Sequence, residues 1–275
     1  SDLRRQRQMC IRDSYGSADP MHSWKAVHDG TEYGFGRLSN SLTLGCDCLG
    51  EIHYFNASGI SFDGSVEVIE NAICLHEEDY GIQWKHNDGM GAPNEVRRSR
   101  RLVISSISTI GNYDYGLFWY LYLDGTIEAE VKLTGIVGIS AYNEEKHNPN
   151  QDLRISKELV SPVHQHLFCM RLDWNLDGGN NQLFESEIEL MPDDDNNSYG
   201  MQFQSVSTHL KTEHEAKRDI SPATSRVWKV VNPQKKNGMG LPVAYKLLPG
   251  NTPKMLARDD SCLLYTSPSP RDRSL

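Results

Sequence analysis

The chain is expected to be all-β, an antiparallel β-sandwich with few short helices, and three observations lead there. Arg101–Thr109 (RLVISSIST) is dense in β-branched residues, which suit a pleated, half-buried surface. Tyr115–Leu123 (YGLFWYLYL) and Thr126–Val131 (TIEAEV) flank Asp124-Gly125, and Asp-Gly between two such runs is a strong hairpin signal. Helical periodicity is scarce throughout.

Taken in order, Ala26–Leu44 reads as one short helix or as loops only. Asn143–Asn150 and Pro192–Tyr199 are polar and loop-like. A second hairpin is expected from His164–Trp174 (HQHLFCMRLDW), through Asp177–Asn181, to Gln182–Leu190. In the last segment, alternation puts Phe184, Ser186, Ile188 and Leu190 on one face and Glu185, Glu187 and Glu189 on the other. The first strand of each hairpin is apolar on both faces, as expected inside a sandwich. Neither an internal repeat nor a linker divides the chain.

Composition narrows the function. With 275 residues, 38% of them hydrophobic, the chain can bury one large core or two small ones and is not wholesale disordered. No apolar run of about 18 residues exists, so no membrane helix is expected. A net charge of −9 argues against a nucleic-acid partner, which would call for a basic face. The one basic cluster, Arg97-Arg98-Ser99-Arg100-Arg101, reads as a solvated strand edge. An acidic body favours cationic small molecules. Residues 1–14 are basic and patternless and lack the apolar core of a signal peptide. Residues 262–275 carry Ser-Pro-Ser-Pro and Arg-Asp-Arg. Both ends read as translated sequencing adaptor, which leaves 15–261 as native sequence.

Two motifs could carry chemistry. His164-Gln165-His166 would place both imidazoles on one face of a strand, in an apolar setting, where they could grip one metal ion; imidazole suits copper, zinc, iron and nickel. Two solvent-facing histidines are the plain alternative. Cupins also use an H-x-H pair, but normally with a Glu about four residues on, and here the nearest downstream acid is Asp173. The second motif, Thr109–Tyr115 (TIGNYDY), interrupts a regular strand with Gly-Asn, which tolerates unusual backbone angles. Of the cysteines, Cys46-Asp47-Cys48 is neither a redox C-x-x-C nor half of a convincing zinc site. A disulfide from one of them to Cys74 and a set of plain buried thiols are both open.

Asn112-Tyr113-Asp114-Tyr115 resembles the N-Y-[D/E]-Y signature of the copper-containing amine oxidases. So do Leu44–Gly50, Ile73–Asp79, Arg100–Val103, Trp119–Thr126, Thr134–Val137 and the H-x-H pair, in order and at matching spacing. The resemblance spans about 15–261 and implies the N-terminal portion of that family's catalytic β-sandwich domain, so that the sandwich is incomplete here. It implies oxidative deamination of a primary amine, with oxygen, to aldehyde, ammonia and hydrogen peroxide. Tyr113 then corresponds to the precursor of the quinone cofactor topaquinone, and His164 and His166 to two of three copper ligands. Asp29, in Asp-Gly-Thr-Glu-Tyr-Gly, matches the catalytic base, with Thr31 where the family has Gly. Tyr15 matches the tyrosine that hydrogen-bonds the quinone O4. Asn112 and Gly111 give the modified ring room to rotate. Val27 lies where relatives often place a bulky channel gate, which suggests a wider entrance. Asp173, with Asn175 for a usual Asp, matches a peripheral calcium-type site.

Cys48 and Cys74 match the family's disulfide, and a homodimer is implied. The resemblance stops near Ser261 without the third copper histidine. His209 and His214 fall outside that ligand's motif and read as exposed surface residues. Activity is therefore assigned to the parent protein, and this chain alone is expected to be inactive. The alternative is a non-catalytic β-sandwich binding module that retains only the scaffold. Compartment stays open: Asn56-Ala-Ser58 and Asn196-Asn-Ser198 are glycosylation sequons, and a disulfide favours oxidising surroundings.

Overall fold

The computed structural model describes residues 11–16, 27–28, 33–61, 63–91, 93–145, 148–150, 152–178, 180–194, 197–250, 253–254 and 256, with 11–16 and 27–28 defined as backbone. These fall into two compact units that divide between Met170 and Arg171. The sequence has no Gly/Pro/Ser linker there, so the division shows only in which strands pair.

The first unit contains β1 (Ile11–Gly16), β2 (Val27–His28), β3 (Ile52–Ile60), β4 (Val66–His86), β5 (Glu95–Ile110), β6 (Tyr113–Tyr122), β7 (Ile127–Gly135), β8 (Ser140–Ala141), β9 (Asp152–Arg154), β10 (Leu159–Pro162) and β11 (His164–Phe168). Strands β3 to β7 form a five-stranded antiparallel meander in sequence order; two three-stranded sheets run β11-β1-β2 and β8-β10-β9. The second unit holds β12 (Gln182–Leu190), β13 (Phe203–Leu210), β14 (Val227–Lys236) and β15 (Pro242–Leu247) in one antiparallel sheet of order β13-β12-β14-β15. The all-β antiparallel class is as expected. Where a short helix or loops were expected, the described residues form β2 and a 3-10 turn at Phe35–Leu38.

The first predicted hairpin is present. Gly125 takes φ 85°, which costs glycine little. Tyr122 N donates to Thr126 O at 2.9 Å, and Thr126 N donates to Asp124 Oδ1 at 2.9 Å. The alternation in TIEAEV has a use: Glu130 and Glu128 accept hydrogen bonds from the Tyr120 and Tyr122 hydroxyls at 2.6 and 2.5 Å.

The second predicted hairpin does not form. β11 pairs with β1, and β12 pairs with β13 and β14. The intervening residues turn on themselves instead of laddering. Asn181 Nδ2 donates to the carbonyls of Leu176 and Gly178 at 3.2 and 3.1 Å, and its Oδ1 accepts from Leu176 N at 2.9 Å. An Asn that can satisfy loop backbone in this way competes with strand pairing. The glutamate face of β12 is also not simply solvated. Glu185 is 5% exposed and ion-paired with Arg218 and Arg226 at 3.3 and 3.4 Å, and Glu187 meets Arg226 at 2.9 Å.

Most of the arginine cluster is a strand edge, as expected: β5 pairs with β6 only from Arg101 on, so Arg97, Arg98 and Arg100 have β4 on one side alone and are exposed. They are ion-paired as well as solvated. Arg98 pairs with Asp79, Arg100 with Glu77 and Arg101 with Glu78, across the β4–β5 ladder. Arg101 also lies 3.8 Å from the Tyr120 ring centroid and 4.3 Å from that of Tyr80, and donates to the Tyr122 hydroxyl at 3.0 Å. Opposite charges opposed across strands hold register, and planar guanidinium suits stacking.

Two tests follow from this packing. Gly135 has φ 95°, and a Cβ there would sit 2.5 Å from Asn112 O; Gly135→Ala is expected to cost about 1–3 kcal/mol in urea unfolding, whereas Gly238→Ala, which meets nothing within 4 Å, stays within about 0.5 kcal/mol. The second concerns pH. Partial burial works against ionisation of Glu78, but hydrogen bonds from Arg101 and His76 outweigh it and hold the carboxyl below its ordinary 4.5. A depressed carboxyl pKa stabilises the fold above the ordinary value and ceases to as pH falls through the folded one. Melting temperature should therefore drop below pH 4.5, and drop less steeply in Glu78→Gln.

Candidate active site

The site grows from a two-residue turn. Gly111 (φ 61°) and Asn112 join Ile110 to Tyr113, which are directly paired; positive φ at the first central residue alone is the type II′ pattern that suits a twisted ladder. Tyr113 and Tyr115 then project to one face of β6, as residues two apart must. On β11, His164, His166 and Phe168 share a face for the same reason. The two rows meet. Tyr113 Oη lies 3.1 Å from His164 Nε2, and Tyr115 Oη 3.2 Å from His166 Nδ1. The Tyr113 ring stands edge-on to His166, with centroids 5.1 Å apart and planes at 88°. The two imidazole centroids are 4.9 Å apart. Phe35, Ile110 and Tyr115 form the buried cluster behind, with Leu117 and Phe168 packed against it. This is face-to-face packing of the meander on β11, the sandwich feature within this unit.

Hydrogen bonds fix the parts. His164 Nδ1 lies 2.9 Å from Pro162 O; a carbonyl only accepts, so Nδ1 carries the proton, Nε2 keeps its lone pair, and the Tyr113 hydroxyl donates to it. Gly138 N donates to Tyr113 Oη at 3.0 Å, and Ile136 N donates to Asn112 O at 2.6 Å. Thr109 Oγ1 donates to Asp114 Oδ1 at 2.5 Å and receives Asn40 Nδ2 at 3.0 Å. A cavity of about 360 Å³ opens among Tyr113, Asp114, Tyr115, Val137, His164 and His166, a volume suited to a small ligand.

The structure thus brings Tyr113, His164 and His166 together. Asn112 is exposed in the turn and contributes its carbonyl. Tyr15 is placed by its backbone, directly opposite Gln165 and next to Val27. Asp29 lies outside the described residues, as does Asn196. Asp173 and Asn175 are exposed in a loop where Asn175 Oδ1 accepts from Gly178 N at 3.1 Å. Among the described residues no group of three or more His, Cys, Asp or Glu is arranged to hold a metal ion. His214 is exposed as expected, but His209 is half-buried, stacked on Phe184 at 4.7 Å because the two oppose each other across β12 and β13.

The expected disulfide is not present in the structure: Cys48 and Cys74 are free thiols. They share one buried cluster with Leu42. Burial, and then a hydrogen bond with Cys48, push the Cys74 thiol up to about 12.

Sequence reasoning missed Tyr115 and Gly138 as parts of the site. Tyr115 was legible from its two-residue spacing to Tyr113. Gly138 was not, since only the fold brings its amide to the tyrosine.

A family model for the copper amine oxidase enzyme domain matches residues 9–267. The chain is 46% identical over 253 residues to a histamine oxidase of Arthrobacter globiformis, covering 90% of this chain and 36% of that protein. It is 44% identical over 247 residues to a primary amine oxidase of Arthrobacter sp. (strain P1), covering 90% and 38%. Among solved structures it resembles a copper-containing benzylamine oxidase from Hansenula polymorpha, with TM-score 0.81, 30% identity, and coverage of 91% of this chain and 40% of that one. It therefore spans two-fifths or less of the length of these relatives. With nearly its whole length matched, and with tyrosine and paired imidazoles converging as described, the chain belongs to the copper amine oxidase family.

Proposed function

We propose that the protein to which this chain belongs oxidatively deaminates primary amines, using oxygen and yielding aldehyde, ammonia and hydrogen peroxide. In this reading Tyr113 is the precursor of topaquinone, and His164 and His166 are copper ligands. The observation that carries it is the Tyr113 hydroxyl against His164 Nε2 at 3.1 Å, with His166 edge-on to the same ring. Both imidazoles fit the metal: ligating histidines commonly engage their other ring nitrogen, and here Pro162 O and the Tyr115 hydroxyl meet the two Nδ1 atoms. When bound, copper and the quinone supply the electron sink and oxygen chemistry that side chains lack.

The remaining roles belong to the chain itself. Pro162 O holds the His164 ring, and Gly138 N fixes the Tyr113 oxygen. Asp29 removes the substrate's α-proton, a task favoured by a carboxyl pKa near neutrality. Tyr15 would hydrogen-bond the quinone and help orient it. Asn112, beside Gly111 in its turn, leaves the ring room to rotate. The acidic surface attracts the cationic amine. Cys48 and Cys74, already side by side, oxidise to a disulfide; Asp173 contributes to a calcium-type site; the protein is a homodimer.

Two tests bear on this reading. The full-length protein, expressed with copper in air and treated with phenylhydrazine, is expected to carry the adduct on the Tyr113 peptide, and Tyr113→Phe is expected to carry none. A copper-loaded protein with no adduct at Tyr113 would overturn the quinone assignment. This chain alone, with two imidazoles, is expected to give none. For the cysteines, mild oxidation should yield a Cys48–Cys74 linked peptide in non-reducing digests; two alkylatable thiols after that treatment would sink the pairing.

A further inference from the structure

We infer that Tyr115 is a positioning residue for His166: its hydroxyl sets the tautomer and orientation of that imidazole, so that the two imidazoles of the pair are oriented by unlike partners, one by main chain and one by a side chain. This deepens the copper reading and rests on it.

The argument starts from burial. Tyr115 is 0% exposed, packed by Phe35 at 5.5 Å and Phe168 at 6.1 Å between centroids. A phenylalanine would fill the same cluster. A tyrosine brings a hydroxyl that must be hydrogen-bonded when buried, and His166 Nδ1 stands 3.2 Å from it. If Nε2 of His166 is to offer a lone pair to a metal, Nδ1 must carry the proton and donate it to the phenol oxygen. Orientation follows as well. The hydroxyl sits at the end of a ring that neighbouring side chains hold still, so the imidazole cannot turn about its χ2 without giving up the bond.

His164 provides the contrast. Its Nδ1 donates to Pro162 O, two residues back on the same chain. That acceptor is backbone and survives every side-chain substitution. The partner of His166 is 51 residues away, reached only because the aromatic row of β6 faces the imidazole row of β11. The Tyr115 contact to the second imidazole thus forms when the two sheets have packed.

The test separates metal binding from quinone formation by working in a Tyr113→Phe background of the full-length protein. Copper(II) affinity is measured against a competing chelator, and the copper EPR spectrum is recorded. Adding Tyr115→Phe is expected to weaken copper binding by about 10- to 100-fold and to change the hyperfine splitting. His166→Ala is expected to weaken it further. Unchanged affinity and EPR in the Tyr115→Phe protein, with His166→Ala impaired, would overturn the positioning role and leave the copper reading standing. Unimpaired binding in both His164→Ala and His166→Ala would overturn the copper reading, and this inference with it. Should Tyr115→Phe not fold, zinc-loaded protein labelled with 15N-histidine carries the test. A His166 Nδ1 proton slow to exchange with water is the expected result, and a rapidly exchanging or absent one would refute the assignment.

Discussion

The site depends on one geometric constraint: two strands from different sheets present side chains at the same period of two, in phase. Tyr113 and Tyr115 on β6 face His164 and His166 on β11, rung against rung, at 3.1 and 3.2 Å. Neither row would hold its geometry alone. The tyrosine row is fixed from behind by the β5–β6 ladder and by the buried cluster around Phe35. The histidine row is fixed by pairing with β1. Burial of aromatic surface supplies the attraction between the layers, and the hydrogen bonds choose which atoms meet.

The meander adds a second kind of contact to the rings and apolar side chains that meet β11. Toward the far ends of β4 and β5 there are cross-strand ion pairs, and Arg101 also stacks on Tyr80 and Tyr120. Pairs of this kind contribute little individually; Arg101–Glu78 joins directly opposed residues, while Arg98–Asp79 and Arg100–Glu77 bridge diagonally. The same ladder carries the register through Tyr120 and Tyr122 to the glutamates of β7.

Much of this was legible beforehand. The β-branched run of β5, the Asp-Gly hairpin and the alternation in TIEAEV each rest on local rules, and the structure follows them. The H-x-H residues were placed on one strand face by their spacing, and Gly-Asn marked the turn that precedes Tyr113. What the sequence hid was long-range. The hydrophobic run of β11 looked like the first half of a hairpin because its partner, β1, lies about 150 residues earlier in a stretch of weak pattern. Asn181 looked like turn punctuation, yet its amide satisfies the loop that separates β11 from β12. The arginine run looked like a solvated edge, and Arg97, Arg98 and Arg100 do lie at one; what the sequence hid was the acidic partners of Arg98 and Arg100 on β4. Tyr115 was visible as a core aromatic; its second task appears only once His166 arrives opposite its hydroxyl.

The pairing of β1 with β11 has one more consequence. It sets Ser14 against His166 and Gly16 against His164. Sliding β11 by a single residue along that neighbour would rotate both imidazoles to the far side of the sheet together. No half-built version of the pair is reachable by slippage; the alternatives are both rings inward or neither. The two imidazoles therefore stand or fall together, since a molecule with misaligned strands forfeits both at once.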